Sequence, residues 1–584
     1  MAKIVIDQEY MDKARHSLAH VLARAVCELF DDVKLGIGPN IENGFYYDFD
    51  LPHTIKEEDF PKIEAKMTEI INGQEEFAKK HADNPAELFK GQPYKLELVS
   101  ELDPAEITNY YLGDFYDLCA GPHVESTREL RNWGFTIASV AGAYWRGNND
   151  NPMLQRVYVH AFPTRQELKK YLQFLEEAKK RDHRVLGNQQ ELFFFDETAP
   201  GMPYWLPKGL KIYNTLVNFS RKVHEDRGYQ EISAPLLNSS VLWETSGHWD
   251  HYQDNMFKSE LANEQVYALK PMNCPNAIMV YKRKNRSYRD LPLRYFETDF
   301  LHRKEATGAL HGLMRVQSFR QDDAHNFLTE EQIYNEINEI LDITDYLYGV
   351  FGLQSKVTLS TRPEEGFLGE IETWNNAENA LKQVLDARYN GEYVINEGDG
   401  AFYGPKIDIM VNDVLNREWQ LGTIQLDFQL ASRFNLHYTD KDGKQKTPVV
   451  IHRALFGSFD RFIGVIIEHF AGKFPFWLSP VQIGVVPVHT EHEEYAHKVT
   501  KQLRNAGYLV NIDISDGTMG NKIKSFRHEM MPYIIILGEK EMTEGTISLR
   551  TRSGVQINDI SLETFMGMCR KMEDERLIDL IEEI

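Results

Sequence analysis

Residues 293–305 read LRYFETDFLHRKE, an aromatic-rich strand followed at once by a charged tetrapeptide. A strand that ends this way projects Arg303 and Glu305 from a rigid sheet rather than a loose loop, and a guanidinium so held can grip a phosphate bidentately. Residues 457–461, GSFDR, put Gly457 where close packing is needed and begin an apolar helix, RFIGVIIEHF, at Arg461. Two guanidinium groups so placed could clamp the two ends of a triphosphate. Neither arginine decides this alone, because buried arginines usually pair with carboxylates.

Outward from these segments, Cys274 lies in KPMNC, His325 closes QDDAH and His452 opens HRALFGSFDR. A thiolate and two imidazoles form a soft donor set that suits zinc with its fourth position open. Their wide separation lacks the CxxC or HxxxH spacing of structural zinc sites. Spacing alone therefore does not support a metal here, and the flanking motifs carry the argument.

The chain has 584 residues, too many for one ordinary domain, and length suggests about three or four. Hydrophobic residues at 42% and charged residues at 26% are ordinary globular values, and no apolar run is long enough to span a bilayer. The N-terminus has no signal-peptide core, and Cys27, Cys119, Cys274 and Cys569 suit a reducing cytoplasm better than a disulfide framework. A cytoplasmic protein with no membrane contact is expected. The net charge of −23, from 65 basic and 88 acidic residues, argues against non-specific polyanion binding. It leaves room for local basic clusters such as Lys179, Lys180, Arg181 and Arg184.

Four segments are expected. Residues 1–163 open with a helical pattern, ARHSLAHVLARAVCELF, and continue into strands such as GFYYDFD and RVYVHAF. Residues 164–188 carry helical spacing throughout and form a linker helix. Residues 189–479 hold long aromatic strands and interrupting helices. Residues 480–584 alternate strand and helix through VQIGVVPV, EEYAHKVTKQLRNAG, YLVNIDI and PYIIILG, which predicts a small, mostly parallel α/β sheet. The fold class is therefore α+β multidomain.

GYQEISAPLL (228–237), LRYFETDFLHRKE and GSFDRFIG resemble motifs one, two and three of the class II aminoacyl-tRNA synthetases, in that family's order. KPMNCP, ALHGLMRVQSFRQDDAH, WQLGTIQLDF and VIHRALFGSFDR narrow the resemblance to threonyl-tRNA synthetases of bacterial type, over nearly the whole chain. The resemblance implies an antiparallel-sheet class II catalytic core for residues 189–479, an N-terminal α+β editing domain and a C-terminal anticodon-binding domain. It also implies ATP with Mg2+, L-threonine and tRNA(Thr) as partners, and one Zn2+ per subunit on Cys274, His325 and His452.

Residue by residue, the resemblance implies Arg303 at the ATP α-phosphate, Arg461 at the γ-phosphate and Glu305 at the adenine amino group. Arg315, Gln321, Asp323, Tyr403, Lys406, Gln420, Gln425 and Ser458 match positions around threonine and the adenylate, with Asp323 on the substrate hydroxyl. His248, in SGHWD, matches a residue that activates the terminal ribose of tRNA. Attack of a carboxylate on the α-phosphorus needs no protein nucleophile, so catalysis should rest on positioning and on charge neutralisation by arginine and magnesium.

His16 and His20 share a helical face at i and i+4, and Cys119 and His123 flank a Gly-Pro turn in DLCAGPH. Four such groups converging would make a hydrolytic or a metal pocket. The resemblance implies hydrolysis of seryl-tRNA here, with Lys95 and Asp117 at matching positions and with positioned water rather than an editing metal. In the last segment Lys522, Lys524, Arg527, Arg550 and Arg552 are candidate RNA contacts.

Two features depart from the family pattern. The family commonly starts with a small ubiquitin-like domain, and this chain starts almost directly at the editing helix. Gln317 and Ser318 stand where many relatives carry Arg-Gly, so a loop or tRNA contact should differ. Alternatives are a class II synthetase for serine or proline, and a tRNA-binding regulator that has lost activation. The motif-one segment implies a homodimer, with Pro235 ending its strand.

Overall fold

Leu293–Glu297 is a strand near one edge of an antiparallel sheet. From that edge the order is Gln230–Glu231, Leu293–Glu297, Ser318–Leu328, Val449–Ser458, Glu418–Asp427, Lys406–Asn412, Ser355–Ser360 and Val394–Asn396. Only the outermost pairings at either end are parallel. The structure is a computed structural model describing residues 6–260, 265–414 and 417–583. Its chain forms two compact units, Met1–Glu177 and Ala178–Ile584.

In the second unit, alternation of side chains across the pleat gives the sheet two different faces. One face carries Ile424, Leu426 and Ile451 against Leu216, Ile337, Ile340, Ile463 and Ile466 of the helices Pro207–Asp226, Ile333–Gly349 and Phe459–His469. The other face is polar over its middle, with Leu293, Tyr295, Phe327 and Val450 packed in a separate apolar cluster at one end. Gly457 sits at φ +69°, and a Cβ there would meet the Leu421 carbonyl oxygen at 2.2 Å, so this turn from strand to helix admits only glycine.

Three sequence expectations change in detail. GYQEISAPLL yields a strand of only Gln230–Glu231. The linker is two helices, Arg165–Arg181 and His183–Gln189, because Asp182 leaves helical geometry to cap the second by accepting from the Arg184 amide at 2.8 Å. The C-terminal sheet is mixed: Val510–Ile512, Ile483–Pro487 and Tyr533–Leu537 pair in parallel, and the hairpin Ile547–Thr551 and Gln556–Ile560 then adds antiparallel pairs.

In the first unit the helix Gln8–Leu29 lays Leu18, Val21, Leu22 and Val26 on Phe45, Tyr47, Phe49, Val157 and Val159 of a five-stranded sheet. A second sheet, Phe77–His81, Thr108–Leu112 and Phe115–Leu118, ends just before Cys119. Both predicted strands of this segment are present, as Gly44–Asp50 and Met153–Phe162.

Candidate active sites

Register brings the predicted substrate residues into two rows on the polar face of the large sheet. His325 faces His452, which faces Gln425, which faces Lys406. One step along, Asp323 faces Ala454, which faces Thr423, which faces Asp408. A cavity of about 310 Å³ above these rows is lined by residues including Cys274, Arg303, Gln321, Asp323, Tyr403, Lys406, Gln420 and Gln425. Ala454 is the one apolar member of the rows and leaves room above the sheet.

At one end of this cavity the ligand atoms of Cys274, His325 and His452 lie within 4.8 Å of one another, and all three residues are buried. His452 Nε2 is 2.8 Å from Asp427 Oδ2, and Asp427 Oδ1 accepts from the amides of Gln429 and Leu430 at 2.7 and 3.1 Å. A fixed carboxylate behind an imidazole is the outer partner that orients a metal-binding histidine. His325 Nδ1 is buried without a hydrogen-bond partner among the described residues. Burial pushes the Cys274 thiol well above its ordinary range, with Asp323 and Asp427 adding to the effect, so a thiolate there needs a cation beside it. These donors fit zinc.

The other end is cationic. Arg303 donates through Nε to the Pro271 carbonyl at 3.1 Å and lies over the Phe319 ring at 5.3 Å. Arg461 donates to the carbonyls of Met314 and Gln420 at 2.8 and 3.3 Å. Among the described residues neither forms an ion pair with a carboxylate, so the usual alternative for a buried arginine does not apply to them. Burial lowers the Arg461 pKa, and Arg315 and Arg303 lower it further. An adjoining cavity of about 400 Å³ contains both arginines with Glu305, Arg315 and Ser458. Arg315 pairs with Glu305 at 2.8 Å, and Ser458 caps its helix by accepting from the Arg461 amide.

The remaining predicted residues are tied into the same wall. Lys406 lies 3.1 Å from Asp399 and 3.0 Å from Asp408, and Gln420 donates to Asp408 at 2.6 Å. Tyr403 donates to Gln425 at 2.7 Å, and Asn273 donates to Asp323 at 3.0 Å. His248 is fully buried beside Cys274, with Nε2 3.9 Å from Sγ, and burial holds its pKa down to about 3. It does not line either cavity in this structure. Gln317 is used locally: its Oε1 accepts from the Glu305 amide at 3.1 Å and its Nε2 donates to the Pro200 carbonyl at 2.8 Å.

The first unit holds a separate cavity of about 470 Å³, lined in part by His16, His20, Tyr47, Lys95 and Asp117. Ligand atoms of His16, His20, Cys119 and His123 lie within 4.8 Å of one another. Cys119 Sγ is 3.3 Å from Nε2 of both His16 and His123, and Ser17 holds the far nitrogen of His123 at 3.1 Å. Burial lowers the pKa of all three histidines and raises the Cys119 thiol to about 11, so the cluster is neutral near pH 7. The charges are supplied by Lys95 and Asp117, buried and 2.6 Å apart, with Tyr47 hydrogen-bonded to the same carboxylate.

Comparison with known proteins agrees with this arrangement. Residues 257–470 match the tRNA synthetase class II core domain (G, H, P, S and T), residues 482–572 an anticodon binding domain, and residues 107–158 the threonyl and alanyl tRNA synthetase second additional domain. The threonine–tRNA ligase of Thermotoga neapolitana is 49% identical over 583 residues, covering 98% of this chain and 90% of its own. The chain belongs to the threonyl-tRNA synthetase family. The threonine–tRNA ligase of Clostridium novyi is 47% identical over 575 residues, covering 98% and 90%. A crystal structure of the RNA binding domain of threonyl-tRNA synthetase from Cryptosporidium parvum is 44% identical with a TM-score of 0.65, covering 67% of this chain and 98% of that one. As a threonyl-tRNA synthetase, the chain is a class II ligase with an editing-associated domain.

In its C-terminal part, Lys524, Arg527, Arg550 and Arg552 line an open cavity of about 1170 Å³. Lys522 is buried outside that lining. Arg552 is committed to the carbonyls of Phe474 and Met530 at 2.8 and 3.2 Å, and burial lowers its pKa to about 10. Sequence reasoning missed Asn273, Asp408, Thr423 and Asp427 as partners of the candidate site residues. Period-two counting back from Gln425 would have found Thr423, and Asp427 lies two residues on from it. The same counting on from Lys406 would have found Asp408, whereas Asn273, just before the helix Cys274–Lys282, had no such signal for its contact with Asp323.

Among the described residues, no helix is long and apolar enough to cross a membrane.

Proposed function

We propose that this chain activates L-threonine with ATP and magnesium at the large sheet, using Cys274, His325 and His452 as zinc ligands and Arg303 and Arg461 as phosphate clamps. The observation that carries this reading is the convergence of the three ligand atoms within 4.8 Å in a cavity that Arg303 shares with an adjoining one, where it is joined by Arg461, neither arginine having a carboxylate partner among the described residues. Zinc bound there would supply an open position for the amino and hydroxyl groups of threonine, which valine cannot fill. Asp323, fixed by Asn273, would hold the substrate hydroxyl by accepting its hydrogen bond. Arg315, Glu305 and Ser458 would border the nucleotide, and Gln321, Tyr403, Lys406, Gln420 and Gln425 the amino acid and adenylate. His248 would act in transfer to tRNA(Thr), and its burial beside Cys274 requires that the end of the tRNA open a path to it.

Lys95, Asp117 and the cluster His16, His20, Cys119 and His123 would hydrolyse seryl-tRNA(Thr). Lys524, Arg527 and Arg550 would contact the anticodon arm, with Lys522 and Arg552 supporting them from inside. The protein would work in the cytoplasm, where its free cysteines stay reduced.

The test is ATP–pyrophosphate exchange with threonine, serine, valine and proline on zinc-replete and zinc-stripped protein. Exchange is expected with threonine, more weakly with serine, not with valine or proline, and lost on stripping. Asp427→Asn is expected to weaken zinc binding by about 10- to 100-fold, read by competition with a chelating dye. Exchange that survives stripping would overturn the metal assignment, and exchange with none of the four would favour a tRNA-binding regulator.

Exposed apolar side chains beside the edge strand Gln230–Glu231 support a homodimer. Near it Leu236, Leu237, Val241 and Phe300 are 40, 51, 62 and 51% exposed, an apolar edge of the kind a second copy covers. Light scattering is expected to give twice the chain mass, and Leu237→Glu to shift it toward the monomer. A monomer at micromolar concentration in the parent protein would refute this.

A further inference from the structure

His183 lies in the short helix that follows the linker and is completely buried. Its Nδ1 is 2.7 Å from Glu468 Oε1, near the end of the helix Phe459–His469, which carries Arg461 in its first turn. Its Nε2 accepts the amide proton of Leu313 at 3.0 Å, which fixes the tautomer: Nδ1 carries the proton and donates it to Glu468. Gly312, at φ +48°, is what lets the loop come so close, since a Cβ there would lie 2.2 Å from Nε2.

Asp182, His183 and Glu468 are near enough together for a metal site, but their atoms already have protein partners. Asp182 holds Arg184 at 2.6 Å, Glu468 holds Arg417, and both ring nitrogens of His183 are used. The ring is therefore a fixed strut between two parts of the catalytic unit. What it fixes is the loop running from Glu305 to Gln317, whose Met314 carbonyl, one residue beyond the contact, holds Arg461 Nε at 2.8 Å. The next residue, Arg315, carries the ion pair to Glu305.

We infer that His183 is a positioning residue for ATP: through the Leu313 amide it sets the loop that aims Arg461 and Arg315 into the nucleotide cavity. This rests on the assignment of Arg461 to a phosphate. Two substitutions separate the ring's two contacts. His183→Gln puts an acceptor where Nε2 was and loses the donor to Glu468. His183→Asn keeps a donor near Nδ1 and leaves the buried Leu313 amide without a partner, the costlier loss.

ATP–pyrophosphate exchange on the full chain reads the difference. His183→Asn is expected to raise KM for ATP about tenfold with KM for threonine little changed, and His183→Gln to recover most of that rise. Gly312→Ala, which pushes the loop off the ring from the other side, is expected to reproduce the Asn signature and stands in if His183→Asn fails to fold. Equal KM for ATP in the Asn and Gln variants, or lowered melting temperature with unchanged KM, would overturn the inference and leave His183 as a packing residue. Arg461→Ala is run beside them: if it leaves KM for ATP unchanged, the phosphate assignment has failed rather than the strut.

Discussion

Threonine-dependent pyrophosphate exchange is expected to fall by about 10³-fold in Arg303→Ala, because an arginine that neutralises charge in phosphoryl-group chemistry is worth roughly that much or more. Melting temperature should scarcely change. Arg303 has no carboxylate partner among the described residues, so its removal strands no buried anion. The structural loss is a hydrogen bond to the Pro271 carbonyl and the contact with Phe319, about 1 kcal/mol for the bond. Against it, Arg461 is relieved of a like charge that holds its pKa down. A residue that adds little net stability in the free protein and contributes when a polyanion arrives is what a binding clamp should look like. Arg303→Lys keeps the charge without the planar fork and should fall between parent and alanine variant. A large drop in melting temperature, with exchange lost only in proportion to the unfolded fraction, would make Arg303 a structural residue.

The parts of this site that could be read in the sequence are those whose chemistry is local. Arg303 and Glu305 end a strand pattern, and Arg461 begins a helix pattern after a glycine that the backbone requires. Those placements follow from neighbours a few residues away. The metal trio was legible only through its flanking motifs, because its convergence depends on a register that puts His325 opposite His452 and on a helix that starts at Cys274. Asp408 follows Lys406 by two residues and was open to period-two counting, whereas the contact of Asn273 with Asp323 left no mark in the sequence. Composition favoured a parallel terminal sheet because its first strands are apolar runs joined by helices. Of the antiparallel hairpin that completes it, Ile547–Thr551 alternates apolar and polar residues as a strand should, and only Gln556–Ile560 breaks that alternation. The break at Asp182 was hidden by helical spacing that continues on both sides of it. Only the capping carboxylate marks it, and that break is what turns His183 inward.

Seryl-tRNA is expected to accumulate when His16 is replaced by alanine, with threonine activation unchanged. Serine keeps the hydroxyl that Asp323 and zinc would select and lacks only a methyl group, a difference worth about 1–3 kcal/mol, or roughly 10- to 200-fold. Without hydrolysis, mischarging at equal amino-acid concentrations should approach that ratio. His16 is the cleanest residue with which to test this. It lines the cavity, its Nε2 reaches Cys119 at 3.3 Å, and burial keeps its ring neutral. Asp117 is a poorer choice, since its loss leaves the buried Lys95 ammonium unpaired, at a cost of about 3–5 kcal/mol that could unfold the unit. Cys119 retains its proton near neutral pH, so Cys119→Ala should impair hydrolysis less than loss of a thiolate nucleophile would, as expected if a positioned water attacks the ester. Charging with labelled serine measures all of this, with threonine exchange as the internal control. Serine misacylation no higher in His16→Ala than in the parent protein would remove His16 from the editing reaction and leave the cluster a structural knot between the helix Gln8–Leu29 and the turn at Gly121.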